Sequence, residues 1–319
     1  MYSYLLSIKS IRIWGLVWVS AFAFSGQVFA YTITHMGGPV RGDFVLEPAK
    51  IELFVDPGHK STTELQVTNR TAGPLTFSVS VEDMVGSDDP MRPVLLLGDK
   101  RGPYSLRDYM TPEVNTFTLE SGERITLPVT VSIPEDAEPG GLYGSVLFES
   151  KSFGQDANAS RTISRLGALL FVRVNGDVAE NGALEDFRVS GGSPVFVTED
   201  PIGFEMLYRN SGSVHVNPYG MITVRNIFGM TVGEVEVTPY YAMPESLRYR
   251  KITWEHGPLF GYYTATLEQN RGYDDIVDTR SISFGVLPWR EALVGLVILG
   301  ICVLVIRWFF ATFEFTRKS

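Results

Sequence analysis

The fold is decided by the stretch LTFSVSVE, residues 75–82, in which apolar side chains alternate with hydroxyl-bearing or acidic ones. Three more stretches repeat this pattern, namely ITLPVTVS at 125–132, YTATLE at 263–268 and SISFGV at 281–286. Successive side chains of a β-strand point to opposite faces, so each stretch predicts a strand with one buried and one solvated face. Strands of this kind are typical of antiparallel sheets.

Turn-forming residues separate these strands at intervals typical of a β-sandwich. Clusters of Gly, Pro, Asn and Asp interrupt the apolar pattern at 56–58, 120–123, 138–141 and 210–212. Proline cannot donate to a neighbouring strand, so Pro128, on the polar face of its predicted strand, favours an edge position. Short strands with turns at this spacing predict sandwiches rather than a sheet covered by helices.

The first 30 residues predict a signal peptide. Lys9 and Arg12 provide a positively charged start, an uncharged apolar stretch follows at 13–24, and cleavage is expected between Ala30 and Tyr31. The alternative is an uncleaved N-terminal anchor. That alternative is weakened because an apolar run of about a dozen residues falls short of the ~20 needed to cross a bilayer.

A second apolar segment, residues 292–313, predicts one transmembrane helix, and its only charged residue is Arg307. Trp289, Arg307 and Trp308 are expected at the membrane interface, where aromatic rings and long basic side chains are favoured. Basic residues follow the segment, so the positive-inside rule places the tail 314–319 in the cytoplasm. The expected location is the cell membrane, with a single pass and the ectodomain outside.

Between these ends the chain is expected to form two domains. A short linker at 31–41 precedes an Ig-like β-sandwich at 42–175, here called module one. Module one contains a long irregular insertion at 85–112, and a second Ig-like sandwich, module two, follows at 176–287. The expected fold class is therefore all-β, with two Ig-like antiparallel β-sandwiches followed by one transmembrane α-helix.

The charge of the exported part excludes one class of partner. Six of the 27 basic and two of the 36 acidic side chains lie outside residues 31–289, so that part carries 21 basic and 34 acidic groups, a formal charge of −13. Phosphate backbones require a basic surface, so nucleic acid is not expected as a partner. The single cysteine, Cys302, lies within the predicted span, so the ectodomain is expected to contain no disulfide.

The insertion is the expected partner-binding element of module one. Arginine and tyrosine are favoured at protein interfaces, and the insertion supplies five of them. The predicted partner-binding residues are Arg92, Arg101, Tyr104, Arg107 and Tyr109. The alternative is that Tyr104, Leu106 and Tyr109 hold the insertion against the sandwich as packing anchors.

Three stretches carry a resemblance to a known family: SLRDY at 105–109, GE at 122–123 and IPEDAEPGGLYG at 133–144. Together they resemble the peptidoglycan-binding Ig-like domain of WxL-interacting proteins. Module two is similar to the same family in YRNSGSVHVNP at 208–218 and LFGYYTA at 259–265. The resemblance implies a bacterial cell-surface protein that contacts the wall polymer or partner proteins.

The residue types that carry enzyme or metal chemistry do not form a recognisable motif. The four histidines, His35, His59, His215 and His256, lack zinc-ligand spacing. Ser145 lies in an apolar stretch and is expected on a solvated strand face. The acidic pairs at 88–89 and 274–275, with Asp278, leave a surface calcium site as an alternative to solvated loop tips. No cofactor is expected, and the chain is not expected to be an enzyme.

These observations predict a non-enzymatic, membrane-anchored binding or scaffold protein of the cell surface, in contact with cell-wall polymer or other surface proteins. An extracytoplasmic assembly chaperone acting by strand donation is the alternative, because the opening formula at 44–58 is similar to that of periplasmic pilus chaperones. A wall-modifying hydrolase is the third alternative, which requires two carboxylates facing each other across a cleft.

Overall fold

A computed structural model of the chain describes residues 31–89, 91–151, 163–191, 195–196, 201–255, 260–287 and 289–312. Within these ranges, the side chains of 151, 163, 195–196, 289–292 and 310–312 are left undescribed. The predicted signal peptide, including Ala30, and the predicted tail 314–319 lie outside the described residues. Tyr31 is the first described residue and its side chain is exposed.

The described chain consists of short strands followed by one helix. The strands up to residue 174 are β1 (Thr32–His35), β2 (Phe44–Glu47), β3 (Lys50–Val55), β4 (Lys60–Asn69), β5 (Leu75–Gly86), β6 (Val94–Leu96), β7 (Met110–Pro112), β8 (Thr116–Leu119), β9 (Glu123–Ser132), β10 (Gly140–Lys151) and β11 (Ile163–Val174). A single 3₁₀ turn lies at Arg107–Tyr109. The later strands are β12 (Gly182–Val189), β13 (Val195–Phe196), β14 (Ile202–Asn210), β15 (Tyr219–Asn226), β16 (Thr231–Val237), β17 (Ser246–Trp254), β18 (Gly261–Asn270) and β19 (Val277–Val286), and helix α1 is Trp289–Thr312.

Module one is a sandwich of two sheets. One sheet has the order β1–β9–β4–β2, with β7 on the same edge of β9 as β1. The other has the order β3–β11–β10–β5–β6, with β8 also paired to β5. The chain changes sheets between β2 and β3, and β3 pairs in parallel with β11. This departs from the antiparallel expectation, because the opening strand is shared between the two sheets instead of forming a hairpin with its neighbour.

Module two is also a sandwich. A three-stranded sheet with the order β12–β14–β17 faces a five-stranded sheet with the order β13–β19–β18–β15–β16. As in module one, one short strand, β13, pairs in parallel with the last strand of the module, β19. The all-β sandwich expectation is therefore confirmed for both modules, while their purely antiparallel pairing is not. The predicted boundary near residue 176 falls between β11 and β12.

The alternating stretches that predict strands lie in β5, β9, β18 and β19. Their apolar positions form the two cores as expected. Phe77, Val79, Ile125, Val129 and Val131 are buried in the core of module one, and Phe284 is buried in that of module two. Apolar side chains leave water on one face of each strand, and this supplies the main driving force for closing the sheets on each other.

Pro128 does not mark an edge strand. It lies in β9, which has β4 along one side and both β1 and β7 along the other. β1 pairs with β9 as far as Thr126 and β7 pairs from Val129, so Pro128 lies at the break between them. The missing N–H of proline therefore removes no hydrogen bond from the ladder.

Two segments that the sequence leaves irregular contain short strands. The predicted linker 31–41 includes β1, which pairs with β9, and the insertion 85–112 includes β6 and β7. Strand β5 also continues to Gly86, inside the predicted insertion. Segments of three or four residues are too short for an alternating pattern to be visible, so their pairing is decided by the long strands beside them.

In each module, a buried asparagine at the end of a strand donates hydrogen bonds to backbone carbonyls of nearby segments. Asn69 at the end of β4 donates to the carbonyls of Gly73 and Leu119, both at 2.9 Å. Asn210 at the end of β14 donates to the carbonyls of Val214 and Ala242, at 2.8 and 2.9 Å. Both side chains are fully buried, and each holds the loop that follows its strand.

Helix α1 follows β19 after two residues. Its described side chains, from Leu293 to Phe309, are exposed on all sides of the helix. Arg307 and Trp308 are among them, whereas the side chain of Trp289 is not described. The described part of the chain contains no helix that is both long and apolar enough to cross a membrane. The membrane span predicted at 292–313 stays a prediction.

Candidate partner-binding site

Two of the predicted binding residues project from the insertion into solvent. The side chain of Arg92 is 78% exposed and approaches Asp89 at 3.9 Å. The side chain of Arg101 is 67% exposed and pairs with Asp108. Exposed pairs of this kind contribute about 0–1 kcal/mol to folding. Arg92 and Arg101 are therefore accessible, and their binding role stays a prediction.

Tyr104 lies between the two modules. Its ring meets that of Tyr143 edge-on, with the centroids 6.0 Å apart. Its hydroxyl donates to Glu245 of module two at 3.2 Å. Burial and the neighbouring carboxylate of Glu245 raise the pKa of the Tyr104 phenol above its ordinary value. The insertion thus contributes a contact to the interface between the modules.

The remaining predicted residues, Arg107 and Tyr109, lie against module one. The guanidinium of Arg107 donates to the carbonyl of Gly98 at 3.1 Å. Tyr109 packs, half-buried, on the core of module one, next to the fully buried Leu106. The structure therefore brings Tyr104, Leu106 and Tyr109 into packing contacts, as the alternative interpretation of the insertion expects.

A buried carboxylate at the end of β5 holds the insertion in place. Asp83 accepts hydrogen bonds from the backbone N–H groups of Leu106 at 3.0 Å, Arg107 at 2.9 Å and Gly102 at 3.2 Å. Its side chain is fully buried. The sequence indicates this burial. Asp83 lies an even number of positions after Phe77, so a continuous strand places both side chains on the inner face.

A small apolar cluster joins the modules. Met84, Tyr143 and Phe171 of module one and Met243 of module two are all buried in it. The backbone N–H of His215 donates to the hydroxyl oxygen of Tyr143 at 2.6 Å. Nδ1 of the same histidine lies 3.3 Å from that oxygen, within hydrogen-bonding distance. The two sandwiches therefore share a packed and hydrogen-bonded interface.

Burial keeps His215 uncharged at neutral pH. Burial is the main cause that lowers the pKa of His215 to about 4, and the positive charges of Lys50 and Arg173 lower it further against the opposing effect of Glu52. Its Nε2 lies 3.7 Å from Glu52, but this is not an ion pair while the ring is neutral. Burial would raise the pKa of Glu52, yet the hydrogen bond from Lys50 brings it below its ordinary value. Burial also raises the pKa of Tyr143, so the phenol keeps its proton.

We expect the stability of this interface to decline in acid because of His215. The unfolded chain takes up the proton near pH 6.5 and the folded chain only near pH 4, so the folded state binds fewer protons between these values. The stabilisation that depends on a neutral His215 is complete above about pH 6.5. As the pH falls, its loss lowers the free energy of unfolding, by roughly 3 kcal/mol at pH 4. Urea unfolding of the wild type and His215→Asn at several pH values measures this contribution as the difference between the two.

The variant His215→Asn keeps a polar atom near the position of Nδ1 but cannot take up a proton. Its free energy of unfolding should therefore fall less between pH 7 and pH 4 than that of the wild type. His35→Asn, which changes an exposed histidine far from the interface, serves as the control and should follow the wild type. An equal decline in His215→Asn and the wild type would contradict the assignment.

The acidic loops do not assemble a metal site in the described residues. Within them, no cluster of three or more His, Cys, Asp or Glu side chains is arranged to hold an ion. Asp278 instead accepts from Arg271, at 2.6 Å, and from the backbone N–H of Leu184, at 2.9 Å. Its oxygens are already engaged in holding β19 to β12.

Ser145 does not occupy a solvated face. It is fully buried on β10, and its hydroxyl has no hydrogen-bond partner in the described structure. The reason lies in the neighbouring strands, since Arg165 on β11 pairs with Glu82 on β5, across the intervening β10. This ion pair covers the strand face on which the serine lies.

In the described part of the chain, half of β11 has no partner strand on one of its sides. β10 pairs with the whole of β11, but β3 pairs only with residues 169–174. No described strand pairs with the other side of residues 163–168, which we call the open edge. An edge of this kind presents unpaired backbone N–H and C=O groups and is a template for pairing with another chain.

The direction of the free backbone groups follows from the adjoining pair. The N–H of Leu169 donates to the carbonyl of Ala49 at 2.9 Å, so residue 169 bonds toward the β3 side. Backbone groups alternate in direction along a strand, so Arg165 and Gly167 also direct their N–H and C=O groups to that side. No β3 residue faces them, because β3 begins at Lys50.

Apolar side chains lie beside the open edge. Leu166 has the same parity as the buried Ala168, but it is 39% exposed at the end of the sandwich. On β10 it faces Phe148, which belongs to the core. In the facing sheet, β2 approaches β11 and carries the half-buried Leu46. An added strand would therefore find both hydrogen-bonding groups and an apolar surface.

The open edge was missed in the sequence because nothing local marks it. Residues 163–168 belong to a stretch that predicts a strand, but pairing depends on where β3 begins. The binding residues predicted in the insertion lie at a different place, on the β5 side of the same sheet. The structure thus provides two surfaces on module one, the open edge and the exposed arginines.

Comparisons with known proteins give distant structural matches only. No protein-family model and no curated protein matches the chain. The chain is similar to the class 5 fimbriae chaperone CfaA at 10% identity and a TM-score of 0.37, covering 77% of this chain and 100% of that one. It is also similar to the CsuC–CsuE chaperone–tip adhesion subunit complex of Acinetobacter baumannii, at 10% identity and a TM-score of 0.35, covering 77% and 99%.

A third match is the Salmonella enterica SafA pilin in complex with the SafB chaperone, at 12% identity and a TM-score of 0.35, covering 76% of this chain and 96% of that one. Similarity at this level carries no argument about function. The resemblance to WxL-interacting proteins, inferred from the sequence, stays a prediction.

Proposed function

We propose that the chain is a non-enzymatic, extracytoplasmic binding protein that captures an extended segment of another polypeptide at the open edge of β11. The observation that carries the proposal is the half-paired strand: residues 169–174 are covered by β3, and residues 163–168 are not. Strand addition is a recurrent mode of peptide recognition, in which main-chain hydrogen bonds supply affinity and alternate side chains supply specificity. This function is related to the assembly-chaperone alternative, but there the chaperone donates a strand to its partner, whereas here β11 receives one.

The partner segment is expected to be extended and to carry an apolar residue at every second position. Side chains of one parity would point inward beside Leu166, toward the apolar surface that continues to Leu46. Side chains of the other parity would remain on the outer face, near the ion pair of Arg165 with Glu82. A strand with this pattern is unstable alone in water and gains pairing and burial together when it docks.

Two cations lie near the interface between the modules, and each is already paired with a carboxylate. This favours binding of a partner through its backbone over binding of an acidic group of the partner. Lys50 contacts Glu52, and its ammonium lies 5.3 Å from the ring centroid of Phe171. Arg173 contacts Glu180 at 2.7 Å. These carboxylates already neutralise the two cations. A negatively charged partner group would have to displace them.

We further propose that the protein is anchored in the cell membrane by α1, with its sandwiches outside and the C-terminus in the cytoplasm. The support comes from the sequence, because Arg307 is the only charged residue of 292–313 and basic residues follow this segment. A helix that is apolar around its whole circumference, as this one is from Leu293 to Ile306, suits a bilayer better than water. The anchor would hold the open edge at the cell surface. As a second role, we propose that Arg92 or Arg101 contacts the wall polymer there.

Blocking the open edge should weaken binding of an extended peptide. The probe is a set of synthetic peptides with alternating apolar residues, titrated against the full chain in detergent and followed by fluorescence anisotropy. Proline at position 165 removes the N–H that points to the open edge but leaves the ladder with β10 intact. We expect Arg165→Pro to lower the affinity about tenfold, the equivalent of one hydrogen bond.

Arg165→Ala is the matched control, because it removes the same ion pair with Glu82 and keeps the N–H. It should bind with nearly wild-type affinity. Hydrogen exchange supplies a second readout, since the amides of Arg165 and Gly167 should become protected when the peptide binds. Equal losses in both variants, or unprotected amides in the complex, would show that the edge is not the binding site.

A further inference from the structure

The turn between β15 and β16 exposes large apolar side chains. Ile227 and Met230 are 69% and 58% exposed, and Phe228 is 78% exposed. Phe260, which immediately precedes β18, is 74% exposed. We call these four residues the apolar tip. Hairpin turns are usually built from Gly, Asn, Asp, Ser and Pro, so a turn with three large apolar residues needs an explanation.

The tip is held in a defined conformation. The side chain of Asn226 accepts hydrogen bonds from the backbone N–H groups of Phe228 and Met230, each at 3.0 Å. The backbone N–H of Asn226 donates to the carbonyl of Met230 at 3.0 Å. Gly229 has a φ of 77°, which favours glycine at that position of the turn. The apolar side chains are thus presented outward by a turn whose own polar groups are satisfied.

The apolar tip lies at the end of module two that faces away from module one. Along the five-stranded sheet, Asn226 faces Tyr263, and Tyr263 faces Phe284 near the end of β19. The contacts with module one come from the opposite end, where the carbonyl of Ser213 accepts from the N–H of Gly141 at 3.3 Å. The tip and the interface between the modules are therefore separated by the length of the sheet.

The chain enters α1 from the end that carries the tip. β19 finishes at Val286, which faces Gly261, the residue after Phe260. Leu287 follows and is itself exposed, and α1 begins at Trp289. Across the sheet, Asn226 is aligned with Phe284, which lies two residues before the end of β19, and the tip extends beyond Asn226. It therefore reaches the level at which the chain leaves the module.

We propose that the apolar tip inserts into the headgroup region of the membrane and seats module two on the bilayer surface. This inference rests on the proposed anchoring by α1. Apolar and aromatic side chains at a membrane surface bury themselves about 5–10 Å into the headgroup and acyl boundary. The anchor keeps this end of the module next to the bilayer, so the lipid interface is the apolar environment most available to the tip. The open edge on module one would then be held away from the membrane.

A fluorophore at the tip tests this in the full chain reconstituted into phosphatidylcholine–phosphatidylglycerol vesicles. After Cys302→Ala, a cysteine is introduced by Met230→Cys and labelled with an environment-sensitive dye. We expect a blue-shifted emission, quenching by lipids that carry a nitroxide near the headgroup, and a severalfold loss of quenching by aqueous iodide. The matched control is Val277→Cys, an exposed apolar position at the opposite end of the sheet, which should be quenched by iodide and not by the lipid.

A further variant, a range of protein densities on the vesicles and a second labelling position distinguish the possible outcomes. Ile227→Glu with Phe228→Glu should abolish the lipid quenching at position 230. A shift that appears only at high protein density, without lipid quenching, would indicate contact with a second copy and overturn the proposal. A dye on the native Cys302 reports on α1 itself. If that dye is quenched by lipid and the one at position 230 is not, the tip proposal fails alone; if neither is quenched, the proposed anchor fails with it.

Discussion

Replacement of Asp83 by alanine is expected to destabilise module one by about 3–5 kcal/mol, because the backbone N–H groups of Leu106, Arg107 and Gly102 lose their acceptor. Two of these donors bond to the same carboxylate oxygen, and the residue is fully buried, so water does not replace the lost bonds at low cost. Denaturant unfolding measures the total loss. Hydrogen exchange at the amides of Leu106 and Arg107 measures release of the insertion directly.

Asp83→Asn is the matched variant. The amide oxygen can still accept from Leu106 and Arg107, but the amide nitrogen cannot accept from Gly102, so a smaller loss of about 1–2 kcal/mol is expected. The order of the two variants is the test. Equal losses, or insertion amides that stay protected in Asp83→Ala, would show that packing by Leu106 and Tyr109 holds the insertion without the carboxylate.

Phe77→Ala is expected to cost about 3–5 kcal/mol, a large part of the stability of a single domain. The ring is fully buried and lies between two other aromatic rings, with centroid distances of 5.0 Å to Phe44 and 5.2 Å to Phe117. Removing it leaves a cavity at the centre of module one. The thermal transition of module one should shift strongly, while that of module two moves little.

Phe54→Ala is the control for this substitution. Phe54 lies on β3 of the same module, but its side chain is 66% exposed, so its loss should change the stability by about 0.5 kcal/mol or less. Similar shifts for Phe54→Ala and Phe77→Ala would contradict the strand register on which the core assignment depends.

The candidate sites were only partly predictable from the sequence. The insertion residues were recognisable by type, but their contacts were not: Tyr104 reaches Glu245 of module two, 141 residues further along the chain. Asp83 could have been identified from its parity in the alternating stretch. Nothing in the local sequence marks the open edge or the partnership of Tyr143 with His215, because both depend on how distant segments meet.

The sequence by itself predicted the mostly β fold and placed six side chains in the cores, namely Phe77, Val79, Ile125, Val129, Val131 and Phe284. These features follow from the two-residue period of a strand, which assigns each side chain to the inside or the outside before any partner is known. The asparagines that close β4 and β14 also lie in recognisable turn motifs, at Asn69 and Asn210.

Only the tertiary structure decided which strands are neighbours and which edges stay free. Alternation specifies the face of a side chain but not the strand beside it, so the parallel pairing of β3 with β11 was not visible in the sequence. That pairing covers residues 169–174 and stops at Lys50, and the open edge exists for this reason. The surface proposed to bind a partner is thus a consequence of where one strand changes sheets, a property of the assembled sandwich and not of any local motif.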